Sequence, residues 1–113
     1  MDNDIAIKKL LHDIKTSIEN IEKYLGKERV YEKYTKNPLL QDAVERNLIT
    51  IGEAMNALLK INSDLQITNS RRIVDARNKL THGYDEIDHT QVWNIIVLHM
   101  PLLKKEVMRL LAG

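Results

Sequence analysis

Arg71-Arg72-Ile73-Val74-Asp75-Ala76-Arg77-Asn78-Lys79-Leu80-Thr81-His82-Gly83-Tyr84 carries the residues best suited to chemistry. It sets four basic side chains against one acid, in a chain whose formal net charge is only +1, so the positive surplus is local. An imidazole titrating near neutrality gives or takes a proton, and a guanidinium braces a phosphate oxygen through two parallel N–H bonds. Together, His82 and Arg77 suit attack of an RNA 2′-hydroxyl on its adjacent phosphodiester. That reaction needs neither metal nor cofactor when the acid, the base and the stabiliser of the developing charge are all side chains. Arg71, Arg72 and Lys79 would then hold flanking phosphates. The spacing taken alone also fits a solvated basic helix end, where cations complement the helix dipole.

Helix geometry constrains the pair. At about 100° per residue, Asn78 and His82 share a face one turn apart, so the Asn78 amide is placed to orient the imidazole. Arg77 lies about 140° around from His82 on a regular helix. Three outcomes follow: the helix unwinds near Thr81, the guanidinium reaches round, or the two residues act with a second copy of the chain.

The elements that position these residues are helical. Ile7, Leu11, Ile14, Ile18, Ile21 and Leu25 form one apolar stripe, and Gly26 follows as a left-handed stop. Asn37-Pro38 restarts the chain, with Asn as cap and Pro at the first helical position. Leu40, Val44, Leu48, Ile51, Met55 and Leu58 continue from there. A third helix starts after Thr68-Asn69-Ser70 and ends at Gly83. A fourth starts at Asp88, which has capping-box spacing to Gln91. Pro101 kinks that last helix and leaves the Val97 carbonyl without its donor. The expected helices span 4–25, 38–61, 70–82 and 88–111, with a short turn or ordered loop in 27–36. The expected fold is all-α, an antiparallel four-helix bundle forming a single domain over 1–113.

Composition excludes other classes. With 113 residues, 43% hydrophobic and 29% charged, the chain is globular in balance. It has no Cys, which excludes disulfide scaffolds and thiolate chemistry. No apolar run approaches a membrane span, and Met1-Asp2-Asn3-Asp4 is acidic where a signal peptide is basic, so a cytoplasmic location is expected.

Arg77-Asn78-Lys79-Leu80-Thr81-His82-Gly83-Tyr84 resembles the R-x-x-x-x-H-x-Y signature of HepT-like toxins in the HEPN superfamily. Ile51-Gly52-Glu53-Ala54 and Val92-Trp93-Asn94-Ile95-Ile96, with Pro101 following, are similar to the same family, and the resemblance spans roughly residues 5–110. It implies a homodimer that brings two Arg-His motifs to a shared cleft and acts as a metal-independent endoribonuclease. His82 would be the general acid/base and Arg77 the phosphate and transition-state ligand. It further implies an MNT-type nucleotidyltransferase antitoxin that transfers AMP onto Tyr84. An added anionic phosphate and bulky adenosine there would block the cleft and compete for Arg77. The alternative is a non-catalytic substrate-binding or regulatory subunit of the nucleotidyltransferase.

Other residues have more ordinary expectations. Glu53 either pairs with an arginine of the third helix, supporting the site, or is a boundary residue. Gly52 in mid-helix costs roughly 1 kcal/mol relative to Ala, which points to close helix approach. His12 and His99 lack convergent partners in the sequence and read as structural. His89 is an outside candidate for a second acid/base group. Trp93 reads as core or dimer interface, and Tyr31 and Tyr34 as anchors of the 27–36 segment.

Overall fold

The computed structural model describes residues 3–83 and 88–113. Helix α1 (Asn3–Leu25) buries Leu11, Ile14, Ile18 and Ile21 of the expected stripe, and Gly26 ends it at φ +71° with its N–H donating to the Glu22 carbonyl. The 27–36 segment contains a short helix, α2 (Tyr31–Thr35), whose Tyr34 ring is buried. The buried Gln41 amide secures that helix by donating to the carbonyls of Tyr34 and Thr35 at 2.9 and 3.0 Å. The Thr35 carbonyl, at the end of α2, has no intrahelical donor and is satisfied by this contact, while the Tyr34 carbonyl also accepts from the Asn37 N–H at 3.3 Å.

Helix α3 (Pro38–Ile61) starts as its sequence predicts: the Asn37 side chain accepts from the Leu40 N–H at 3.1 Å, and Pro38 occupies the first turn. Val44, Leu48, Ile51, Met55 and Leu58 are buried along it. Helix α3 packs against α1 on one side and α4 (Ser70–Asn78) on the other, while α1 also packs on α6 (Met100–Ala112). The architecture is all-α, and the described residues contain no strand.

Two departures from regular helix distinguish the second half. The third expected helix is α-helical only to Asn78 and then widens into a π turn over Lys79–Gly83. The fourth comprises α5 (His89–Asn94), a π turn over Ile95–His99, and α6. Asp88 caps α5 by accepting from the Gln91 N–H at 2.8 Å. Pro101 explains the second π turn. Lacking an N–H, it cannot serve the Val97 carbonyl, and the strain is taken up upstream, where the Met100 N–H reaches the Ile95 carbonyl five residues back.

The loop leading into α4 is pinned by a buried charge. Glu106 of α6 is 6% exposed, and its carboxylate accepts from the Thr68 N–H at 3.1 and 3.2 Å and from the Thr68 hydroxyl at 3.0 Å. Three hydrogen bonds to one ionised group compensate its desolvation and fix where α4 begins. No helix among the described residues is long and apolar enough to cross a membrane.

Candidate functional site

Arg77 closes α4 against α3, and Gly52 makes that possible. A methyl group at position 52 would fall on the Arg77 Cβ and lie 2.8 Å from its Cγ and 3.3 Å from the Ile73 carbonyl oxygen. The close approach expected of a mid-helix glycine is therefore an approach to Arg77 itself. The next residue, Glu53, faces the same side chain: its carboxylate lies 3.7 Å from Arg77 Nη2. That separation exceeds the 2.7–2.9 Å of a charge-assisted hydrogen bond, so the pair is a loose electrostatic one. Arg77 Nη1 donates to Asn78 Oδ1 at 2.9 Å, while Nε is buried without a partner among the described residues. The guanidinium is half-buried and its direction is set by neighbours on both helices.

Asn78 thus departs from expectation. Its amide oxygen serves Arg77, one residue back, instead of orienting His82 one turn on. The reason lies in the widened turn. Within it the Thr81 hydroxyl donates to the Arg77 carbonyl at 3.0 Å and the Asn78 carbonyl at 3.3 Å. Of the three outcomes, the one observed is unwinding near Thr81. An i→i+5 pattern has less rotation per residue than an α-helix, which turns His82 back toward the Arg77 side. The His82 imidazole is exposed and makes no hydrogen bond to any described residue. Tyr84 lies outside the described residues.

The other basic residues separate. Arg71 is exposed on the first turn of α4. Arg72 and Lys79 instead face a cleft between α4 and the α5 side of the molecule. Here a histidine read as structural has partners after all. His99 Nε2 accepts from Arg72 Nη1 at 3.0 Å, and the Asn69 side-chain amide is 3.4 Å from Nδ1. An arginine donates only, so Nε2 must be unprotonated and the ring neutral, with its proton on Nδ1. A flip of the Asn69 amide places its oxygen opposite that proton. Burial, and then the Arg72 charge, hold the His99 pKa below its ordinary 6.5, consistent with this tautomer. Nothing local marked His99, because Arg72 is 27 residues away in sequence. Asn69 itself sits at φ +61° and does not cap α4 with its side chain.

The aromatic residues form a separate group. Tyr34 lies 5.4 Å from Trp93 and 5.9 Å, edge-on, from His89, and the Tyr31 hydroxyl is 2.8 Å from that of Thr90. Tyr31 and Tyr34 therefore tie the 27–36 segment to α5. Burial, then the nearby Glu45 charge, push the Tyr34 phenol far above its ordinary pKa, so it stays neutral. Burial likewise raises Glu45, against a lowering influence of His89.

Comparison with known proteins places the chain in a family. A family model described as ribonuclease HepT-like matches residues 14–110. The chain is 33% identical over 105 residues to Putative RNase MJ1380 of Methanocaldococcus jannaschii, covering 89% of this chain and 93% of that protein. It is 32% identical over 101 residues to Putative RNase MJ0125 of the same organism, covering 88% and 86%. Putative RNase TTE0752 of Caldanaerobacter subterraneus is 32% identical over 85 residues, covering 72% and 73%. No solved structure matches the chain significantly. With the family model spanning nearly all of its length, the chain belongs to the ribonuclease HepT-like family.

Proposed function

We propose that this protein is a metal-independent endoribonuclease toxin of a HEPN/MNT pair, with Arg77 and His82 as the reacting side chains. The observation that carries it is the contrast between the two. Arg77 is braced over Gly52 with a loose carboxylate partner, and His82 is left exposed on the widened turn that follows it in sequence. A phosphate competes readily for a guanidinium held by Glu53 at 3.7 Å, because a direct, bidentate contact is stronger than that pair. His82 then takes the proton of the attacking 2′-hydroxyl and returns one to the leaving oxygen. Arg77 stabilises the charge that grows on the phosphorus oxygens between those steps.

The active unit is a homodimer that brings two such sites to one cleft, in the cytoplasm. Its antitoxin partner is a nucleotidyltransferase that silences it by adenylylating Tyr84. Family membership and the order of motifs along the chain support this reading. The test incubates purified protein with RNA in excess chelator, comparing wild type with His82→Ala. Cleavage by wild type alone is expected. Equal cleavage by both proteins, or cleavage that stops with chelator, rejects the role of His82 without metal. Intact RNA throughout returns the chain to the non-catalytic binding-subunit reading. For the modification, co-expression with the nucleotidyltransferase should add AMP mass increments that disappear in Tyr84→Phe.

A further inference from the structure

The cleft facing Arg72 and Lys79 is built from two helical stripes. On α4 and the turn that continues it, Arg72, Asp75, Ala76 and Lys79 recur at intervals of one to three and fall within one face. Across from them stand Gln91, Asn94 and Ile95, and the π turn carries His99 round to complete that wall. The space between is about 400 Å³, within the range of small-ligand sites. Arg77 is not among its lining residues, and on α4 it points about 140° away from Arg72.

Its chemistry is specific. Ala76 and Ile95 are nearly buried and give an apolar floor. The Gln91 and Asn94 amides are exposed, and neither makes a side-chain hydrogen bond to a described residue, so each offers two donors and an acceptor. Arg72 is held by a neutral His99, which occupies one of its five N–H donors and leaves the others available. Lys79 adds a second cation. Asp75 repels a phosphate, yet as an acceptor it suits a ribose hydroxyl, the one donor that separates RNA from DNA.

Anion recognition, two unengaged amides, an apolar floor and one carboxylate together match a ribonucleotide unit. We propose that this cleft binds one nucleotide of the RNA chain away from the scissile phosphate, through Arg72 and Lys79 on its phosphate, Gln91 and Asn94 on its base edge, and Asp75 on its ribose. This rests on the ribonuclease reading above and adds to it a positioning subsite, with His99 acting by fixing the direction of Arg72.

The test uses the full-length His82→Ala protein, so that a labelled short RNA stays intact during titration. Gln91→Ala/Asn94→Ala leaves every charge in place and changes only exposed residues. It should weaken RNA binding about tenfold with an unchanged salt dependence. Arg72→Ala/Lys79→Ala should weaken it further and lower the salt slope by about one phosphate contact. Lys8→Ala, on the exposed side of α1 and away from the cleft, should leave the slope unchanged. RNA should shift the His99 ring signals in NMR while those of the exposed His12 stay fixed. Titration with 5′-mononucleotides separates a strand subsite from a site for free nucleotides: RNA should shift His99 at lower concentration than any mononucleotide. The subsite is overturned if Gln91→Ala/Asn94→Ala binds RNA as His82→Ala does, if His99 does not respond, or if DNA of the same sequence binds equally. Wild-type cleavage is read in a separate assay, so loss of the subsite and loss of the ribonuclease reading are told apart.

Discussion

Substituting Gly52 tests the geometry of the Arg77 site directly. On an isolated helix, Gly52→Ala would stabilise by about 1 kcal/mol, because glycine carries the larger conformational entropy in the unfolded chain. Here the added methyl meets the Arg77 Cβ and lies 2.8 Å from its Cγ. Carbon atoms in good contact sit about 3.5–4.0 Å apart, so α3 and α4 must separate by something over 1 Å. A rotamer change of Arg77 moves Cγ but not Cβ, and it leaves the worst contact in place. Overpacking of this kind costs about 1–3 kcal/mol. The propensity gain offsets part of that, leaving a net loss of about 1–2 kcal/mol and a displaced guanidinium.

Denaturant melts of the variants read the first effect, and RNA cleavage rates read the second. Because the clash lies at Cβ, Arg77→Ala in the Gly52→Ala background should not restore stability, whereas Arg77→Gly should recover most of it relative to Arg77→Gly alone. Cleavage by Gly52→Ala should fall at least tenfold, since a shift near 1 Å in a charge-stabilising group is felt at about that level. A Gly52→Ala protein that is about 1 kcal/mol more stable than wild type and cleaves RNA at the normal rate would refute the close approach and the argument built on it.

Three further outcomes are expected. Glu106→Ala removes the acceptor of three Thr68 hydrogen bonds and should destabilise by about 2–4 kcal/mol in thermal or denaturant melts, whereas a surface acid would cost almost nothing. His99 has a lowered pKa in the folded protein, so the unfolded chain binds the extra proton first as pH falls. Its contribution to stability is therefore complete above pH 6.5 and is lost as pH drops through the folded value. The stability difference between wild type and His99→Gln should accordingly shrink below pH 6.5 in melts compared at each pH. Glu53→Gln removes a loose pair whose carboxylate is 56% exposed, so melts should show a change of no more than about 0.5 kcal/mol. The freed Arg77 should then bind RNA more tightly and turn it over more slowly, seen as a lower KM together with a lower kcat.

The helices were legible because each advertises itself locally. Stripes at intervals of three and four, Asn37 and Asp88 as caps, and Gly26 as a left-handed stop all depend on residues within one or two turns. Gly52 was legible as a close approach and Glu53 as a potential partner of an arginine, though only the packing of α3 on α4 identifies Arg77 as the neighbour of both. His99 was read as structural because its partners, Asn69 and Arg72, lie 30 and 27 residues away. Asn78 was assigned to His82 because an α-helix would bring them together, and the turn between them is not α-helical. A π turn is nearly invisible to periodicity, since five residues of wider helix shift an apolar stripe by less than one position.

The two π turns share a consequence. In the first the Thr81 hydroxyl donates to the Arg77 carbonyl, and in the second Pro101 withholds a donor from Val97. Each carries a histidine out of α-helical register, His82 toward the Arg77 side of α4 and His99 into contact with Arg72. Arg77 and Arg72 themselves point in different directions from one regular helix, so they cannot serve the same ligand atom. The fold thus hydrogen-bonds Arg72 to one displaced histidine and leaves the other, His82, exposed on the turn that follows Arg77. Exposure of His82 suits the proton transfer proposed for it. The Arg72–His99 pair is closed by a direct hydrogen bond, which suits holding a guanidinium still.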